Sequence, residues 1–460
     1  MLNKYLSSRV NDAKKLVKEL RKTYDYVSVL GSFVNTKMIA VSTHINSIDE
    51  VDNECGFVVK VYKDGRYSEY SCNDIKGLKA ADIKKAVKLD KVVSADYKVK
   101  MLQEEKHVEN FLREDNTKLS DEDIVKQLKQ TKDKLEKADS RVINVVTRYV
   151  KRQVSKVFVS EKKCLTQKYD WINVMTLTVV RQGEVIKSNY NAEGEAITEL
   201  ALKNFKKNAS GVLDIAIKML DAKAVKPGKY TIITDPSISG LIAHEAFGHG
   251  VEMDMFVKNR AKAIDFVGKY VASPLVDMYD GASSCLSAAS YFFDDDGIEA
   301  HNTQIIKKGI LQTGISDSLS AMQLGSEPTG NGRRQDYQRK VYTRMTNTWF
   351  GPGKDKLEDM IKSVKHGYYL CQTNNGMEDP KNWQIQCTAS YGLEIKNGKF
   401  TGKMIAPVVI SGYVIDLLNS ISMVSDKVTI HGSGMCGKGH KEWVYVSDGG
   451  PYLKAEAKLG

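Results

Sequence analysis

Apolar and polar residues recur along this chain with two periods, one helical and one strand-like, that alternate in blocks. From Leu2 to about Thr23, Tyr5, Leu6, Val10, Leu16, Val17 and Leu20 fall near helical spacing, which predicts an amphipathic helix. Runs of β-branched and aromatic residues at 26–34, 38–42 and 56–62 predict strands. Asp64-Gly65, between Val59-Lys60-Val61-Tyr62 and Tyr67-Ser68-Glu69-Tyr70, predicts a hairpin. Helices are expected over 80–89 and 119–138, the second opened by Ser120-Asp121-Glu122-Asp123. Strand patterns return at 142–149, 155–160 and 173–181. A turn at Gln182-Gly183-Glu184 and a long helix over 196–220 follow.

Ala222 to Gly228 is polar and broken by Pro227-Gly228, so a domain boundary is placed there, dividing the chain into 1–222 and 223–460. Beyond it, Tyr230-Thr231-Ile232-Ile233-Thr234 predicts a buried strand. The next helix is capped by Ser239 and anchored by Leu241, Ile242, Ala243 and Phe247. Short β runs then meet at turns around Asp294-Asp295-Asp296-Gly297 and Lys307-Lys308-Gly309. The acidic triplet lacks the alternating ligand spacing of a calcium loop and is expected as an exposed turn. Residues 325–334 are read as a surface loop, 344–348 and 405–410 as strands, and 412–424 as a helix. The fold class is α+β: an N-terminal α/β domain with a mixed or antiparallel sheet, then a β-rich, barrel- or roll-like domain.

Composition narrows the function. At 460 residues, 42% hydrophobic and 27% charged, the chain is globular and large enough for two cores. No run reaches the length of a membrane helix and Met1-Leu2-Asn3-Lys4-Tyr5 lacks a signal peptide's apolar core, so a soluble, cytoplasmic protein is expected. Seven cysteines without a CxxC pair suit reduced thiols. The net charge of +11 sits largely on amphipathic helices interleaved with acids, without a nucleic-acid-binding signature. Nucleic acid therefore ranks last among partners, whereas an acidic partner would be attracted.

The chemistry concentrates in His244-Glu245-Ala246-Phe247-Gly248-His249-Gly250. Two imidazoles suit zinc, and an adjacent carboxylate can take a proton from metal-bound water. The histidines are five apart, and five residues of an ideal α-helix overshoot one turn by ~140°. A π-bulge between Glu245 and His249 would restore a common face, so a local irregularity is expected there. The third ligand stays open: another histidine, Glu252, Asp254, or a cysteine such as Cys436, set among glycines in 431–439, which reads as a tight loop.

His244-Glu245-x-x-x-His249-Gly250, Pro328-Thr329-Gly330-Asn331-Gly332-Arg333-Arg334, Arg344-Met345-Thr346-Asn347-Thr348 and Met435-Cys436-Gly437-Lys438 occur in this order. Together they resemble the TldD branch of the TldD/PmbA family of metallopeptidases, specifically from Tyr230 onward and more loosely before it. The resemblance implies that His244, His249 and Cys436 bind Zn2+ and that Glu245 activates the zinc-bound water. It also implies unfolded or short peptides as substrates, including leader peptides, and either a homodimer or a heterodimer with a PmbA/TldE-type subunit, the paralogue that lacks the metal motif. Arg344 and Asn347 are candidates for gripping an extended substrate. Two other readings use the same residues: a zinc amidohydrolase of a small molecule, and a non-catalytic, zinc-stabilised peptide-binding subunit. The second would be marked by a fourth ligand such as His431 or Asp254.

Overall fold

The computed structural model describes residues 2–87, 103–439 and 441–460. The first half builds one sheet from β1 (Tyr26–Ser42), β2 (Asn46–Lys63), β3 (Arg66–Cys72), β4 (His107–Arg113), β5 (Val142–Val159), β6 (Lys163–Gln182) and β7 (Val185–Glu195). Its order is β3-β2-β1-β5-β6-β4 with β7 also on β6, and only the β4–β6 pair is parallel. The runs read separately at 26–34 and 38–42 form one continuous strand whose pairing to β2 shifts between Val34 and Thr36. The Asp64-Gly65 turn has positive φ at both residues, as a tight hairpin needs.

Side-chain alternation gives this sheet two different faces. Odd-numbered residues of β1 and β5 meet helices. Val27, Val29 and Val157 pack on the helix Val10–Leu20, while Ile39, Val41 and Tyr149 pack on Asp121–Ala138 and Thr198–Met219. Ser120 caps the helix Asp121–Ala138 in a reciprocal bond with Asp123. The expected helix at 80–89 is seen as Ala80–Ala86, and its last two residues lie outside the described residues. Even-numbered residues face the second half of the chain: Leu30 and Phe158 pack on Phe293, and Val34 and Val154 on Tyr291.

The same face corrects the reading of the acidic triplet, which is buried. Lys60 bonds Asp296 at 2.5 Å, Lys156 bonds Asp295, and Asp294 accepts backbone N–H groups of Asp296, Ile298 and Gly332. The triplet's polarity signalled solvent, but its counter-charges come from strands far away in sequence. Residues 329–334 are likewise held in place and not free: Asn331 donates to Asp280 and to Arg344 O, and Gly332–Arg333 pairs with Tyr342–Thr343.

Besides that two-stranded ribbon, the second half carries two larger sheets. β8 (Gly228–Thr234) pairs with His366–Asp379 and Leu453–Leu459. These connect through Gln384–Lys396 and Val408–Tyr413, so the five strands close on themselves as a small barrel. The fold is α+β and sheet-rich, with this barrel in its C-terminal half. Helix 412–424 is shorter than expected, Val414–Asn419, because the strand runs on to Tyr413. The other sheet places Asn347–Phe350 beside Lys441–Gly450 and ends at the strand Thr429–Lys438. Among the described residues no helix is long and apolar enough to cross a membrane.

After β8 the chain turns into the helix that bears the histidines. Its cap is Asp235, not Ser239: Asp235 Oδ1 accepts the Ile238 N–H at 2.8 Å and Pro236 takes the first position. Ser239 instead shares a buried hydrogen bond with Thr234. The helix lies against the 441–450 strand through Gly240, where an added Cβ would stand 2.4 Å from the backbone nitrogen of Gly449. Gly240→Ala is therefore expected to cost about 3 kcal/mol or more, at the upper end for overpacking. Gly248→Ala meets the Met345 sulfur, on a side chain that can shift, at 2.1 Å and the Ala243 carbonyl oxygen no closer than 3.1 Å, and should cost less. Urea midpoints of both variants test this order; equal, small losses would contradict the close packing.

Candidate metal centre

The helix changes pitch where the histidines sit. Residues Ile242–Gly248 form a π-helix, and the His249 N–H donates to His244 O, five residues back. Five residues thus make close to one turn, and the two imidazoles meet edge to face on one side, with ring centroids 5.1 Å apart and planes nearly perpendicular. The irregularity expected from the spacing is this stretch. Gly248 belongs to it because Met345 fills the space a side chain would take.

Cys436 reaches the same point from the strand Thr429–Lys438. Its glycine-rich surroundings are strand and not loop, but the pairing with 441–450 slips between His431 and Gly434 and again between Cys436 and Lys438. Such bulges re-aim side chains, and here they bracket the thiol. One ligand-type atom each from His244, His249 and Cys436 lies within 4.8 Å of the others, and Cys436 Sγ is 3.4 Å from His249 Nε2. Among the described residues no fourth histidine, cysteine or carboxylate joins this group.

Burial alone would push the Cys436 thiol up, but the neighbouring imidazoles outweigh it and bring it down to about 4. Burial likewise opposes charge on His244 and His249, and the thiolate raises both. His244 Nδ1 is buried without a hydrogen-bond partner. A thiolate and two imidazoles match the N/S donor set that zinc prefers. Glu245 stands at the edge, its Oε2 3.9 Å from His249 Nε2, over Gly376, where any Cβ would strike its side chain.

Glu252 and Asp254, weighed above as ligands, form an outer ring. Glu252 Oε2 lies 3.4 Å from His249 Nδ1, orienting the ring so that Nε2 faces the thiol. Lys438 binds Glu252 at 3.1 Å and Asp254 at 2.7 Å and also donates to Thr343 O. Burial would raise Glu252, but Lys438 and His249 hold it well below the usual carboxylate range. Arg344 and Asn347 are 1% and 0% exposed. Arg344 donates to Cys436 O at 2.8 Å and to Glu442 O, with Nε 3.6 Å from Glu252; Asn347 donates to Gly281 O and Ser290. Their polar groups are directed at the protein's own frame. Lys438 and Glu378, whose carboxylate accepts the Gly250 N–H at 3.0 Å, received no role from the sequence. Lys438 sits inside a quoted motif two residues after Cys436, which was a signal; Glu378 had none.

This geometry can be set beside known proteins. A family profile described as the PmbA/TldA metallopeptidase C-terminal domain matches residues 227–457. The chain belongs to this family. A protein named as a metalloprotease from Methanocaldococcus jannaschii is 26% identical, over 96% of this chain and 98% of its own. A zinc metalloprotease TldD homolog of Saccharolobus solfataricus is 31% identical over about half of each chain (52% and 53%). Among solved structures, TldE from Thermococcus kodakarensis superposes with a TM-score of 0.74 at 19% identity, covering 98% of this chain and 100% of that one, which establishes the shared fold.

Proposed function

We propose that this chain is a zinc-dependent peptidase in which His244, His249 and Cys436 hold the metal and Glu245 is the acid/base. The observation that carries this reading is the convergence of three zinc-type donors, one each from His244, His249 and Cys436, beside a carboxylate that stands outside the group. When bound, zinc supplies Lewis acidity and activates the nucleophile near neutral pH. Glu245 Oε2 takes the proton of the attacking water and delivers it to the leaving amine. Glu252 keeps His249 oriented, and Arg344 holds the backbone of Cys436, so Arg344 and Asn347 serve substrate indirectly, by fixing the walls of the site.

Unfolded or short peptides are the proposed substrates, bound extended. The Cys436 strand is the last in its sheet, which supports recognition by main-chain pairing beside the metal. In this reading the boundary near 222 separates a substrate-covering N-terminal domain from the domain that carries the chemistry, and the protein works in the cytoplasm, where its seven free thiols persist. It pairs with itself or with a TldE-type subunit. The three-donor group, without a fourth among the described residues, favours an open catalytic site over a closed structural one.

Removing metal with a chelator is expected to abolish hydrolysis of a denatured peptide mixture, and added zinc to restore it. Mass spectrometry of the products reads the outcome. Undiminished cleavage after complete metal removal would overturn the proposal, and restored turnover on a small amide but no peptide would favour the amidohydrolase reading.

A further inference from the structure

Behind the Cys436 strand lies a cavity of about 500 Å³, between that strand's hairpin and the even-numbered face of the N-terminal sheet. Met435 and Tyr445, paired across the hairpin, line it, whereas the neighbouring Cys436 turns the other way, to His249. Its volume is that of a small-ligand site. Its floor is β5, where Arg148, Arg152 and Lys156 stand in line every fourth residue on one face.

The charges of this cavity do not cancel. Lys156 is paired with Asp295, and Arg334 with Glu69 at 3.1 Å. Arg333 spends its guanidinium on two carbonyls, Met345 O and Tyr445 O. Arg148 and Arg152 meet no carboxylate within ion-pair distance among the described residues. Arg152 lies over the Tyr445 ring at 4.6 Å. Arg148 has only the weak Met175 sulfur at 3.8 Å, and its Nε is buried without a partner. Of the remaining lining acids, Asp294 accepts backbone N–H groups, and Glu54, at the rim, feels the charge of Arg152 without reaching ion-pair distance. Half-buried guanidiniums, one backed by the Tyr445 ring and neither ion-paired among the described residues, are a site for a carboxylate.

We infer that this cleft is a specificity site for an acidic side chain, Asp or Glu, of the peptide whose scissile bond lies at the metal centre. The inference rests on the peptidase reading and adds a substrate class to it. Met435 lines the cleft and is bonded to Cys436, so the cleft begins within one residue of a proposed zinc ligand. Main-chain recognition at the sheet edge would leave sequence unread; the arginine pair reads charge.

The test uses full-length, zinc-loaded Glu245→Gln protein, so that binding is measured without turnover. Fluorescent ten-residue peptides carry Glu or Gln at one position, moved along the peptide in turn. At one register the Glu peptide should bind about tenfold more tightly, as expected for one charge-assisted bidentate contact. Arg148→Met and Arg152→Met should each shrink that ratio, the double variant should remove it, and Arg152→Glu should favour a Lys peptide. In the unsubstituted background the preference should also fall between 50 and 500 mM salt, a readout that needs no arginine variant. No Glu preference at any register, a preference intact in the double variant, or tighter binding of a single-stranded oligonucleotide than of any peptide would overturn the inference. If the wild type cleaves peptides without charge preference, only this inference fails. If no peptide is bound or cleaved, the peptidase reading fails with it.

Discussion

Glu245→Gln is expected to lower peptide hydrolysis by about 10²- to 10⁴-fold while zinc stays bound, the range for loss of a positioned acid/base. The separation of the two effects comes from geometry. The donor atoms belong to His244, His249 and Cys436, and Glu245 stands beside them with its Oε2 3.9 Å from His249 Nε2. Glutamine keeps the shape and cannot take a proton. Single-turnover hydrolysis together with zinc stoichiometry measures both. If the variant lost its zinc as well, Glu245 would be a ligand; if it kept near-full activity, another group would move the proton.

Arg344→Met should be the most damaging change outside the donor set. Arg344 is 1% exposed, bonds the carbonyls of Cys436 and Glu442, and faces Glu252 at 3.6 Å. Methionine fills the volume but leaves two carbonyls unsatisfied and a buried carboxylate short of a counter-charge, a loss of about 3–5 kcal/mol. Zinc affinity should fall by roughly 10–100-fold, as when supporting partners of metal ligands are removed. Arg344→Lys should not restore either, because an ammonium cannot span the same forked set of acceptors. Urea unfolding of metal-free protein separates the stability loss from the affinity loss, which a chelator competition reads. A change below ~1 kcal/mol with unaltered affinity would deny Arg344 this role.

Much of this arrangement was legible in the chain. Period and turn chemistry located the hairpin at Asp64-Gly65, the helix opened by Ser120, and β8 leading into the histidine helix, because each is decided within a few residues. The five-residue spacing of His244 and His249 carried its own geometric demand, and the π-helix satisfies it. What sequence could not supply were pairings between distant segments. Asp294-Asp295-Asp296 looked solvent-bound because Lys60 and Lys156 sit more than a hundred residues away. Arg344 looked like a substrate grip because its acceptors, Cys436 O and Glu442 O, arrive on another strand. The glycines around Cys436 suggested a loop, whereas the structure uses them in a bulged edge strand. Arg148 and Arg152 carried no local motif at all; they become noticeable only when the sheet face they share meets the Cys436 hairpin.

The most direct test is zinc content by mass spectrometry on wild-type and Cys436→Ala protein, each assayed on the same denatured peptides. About one zinc per chain in the wild type, lost together with cleavage in Cys436→Ala, is the predicted result. Zinc retained at full occupancy without Cys436 would contradict the three-donor centre and move the third ligand elsewhere.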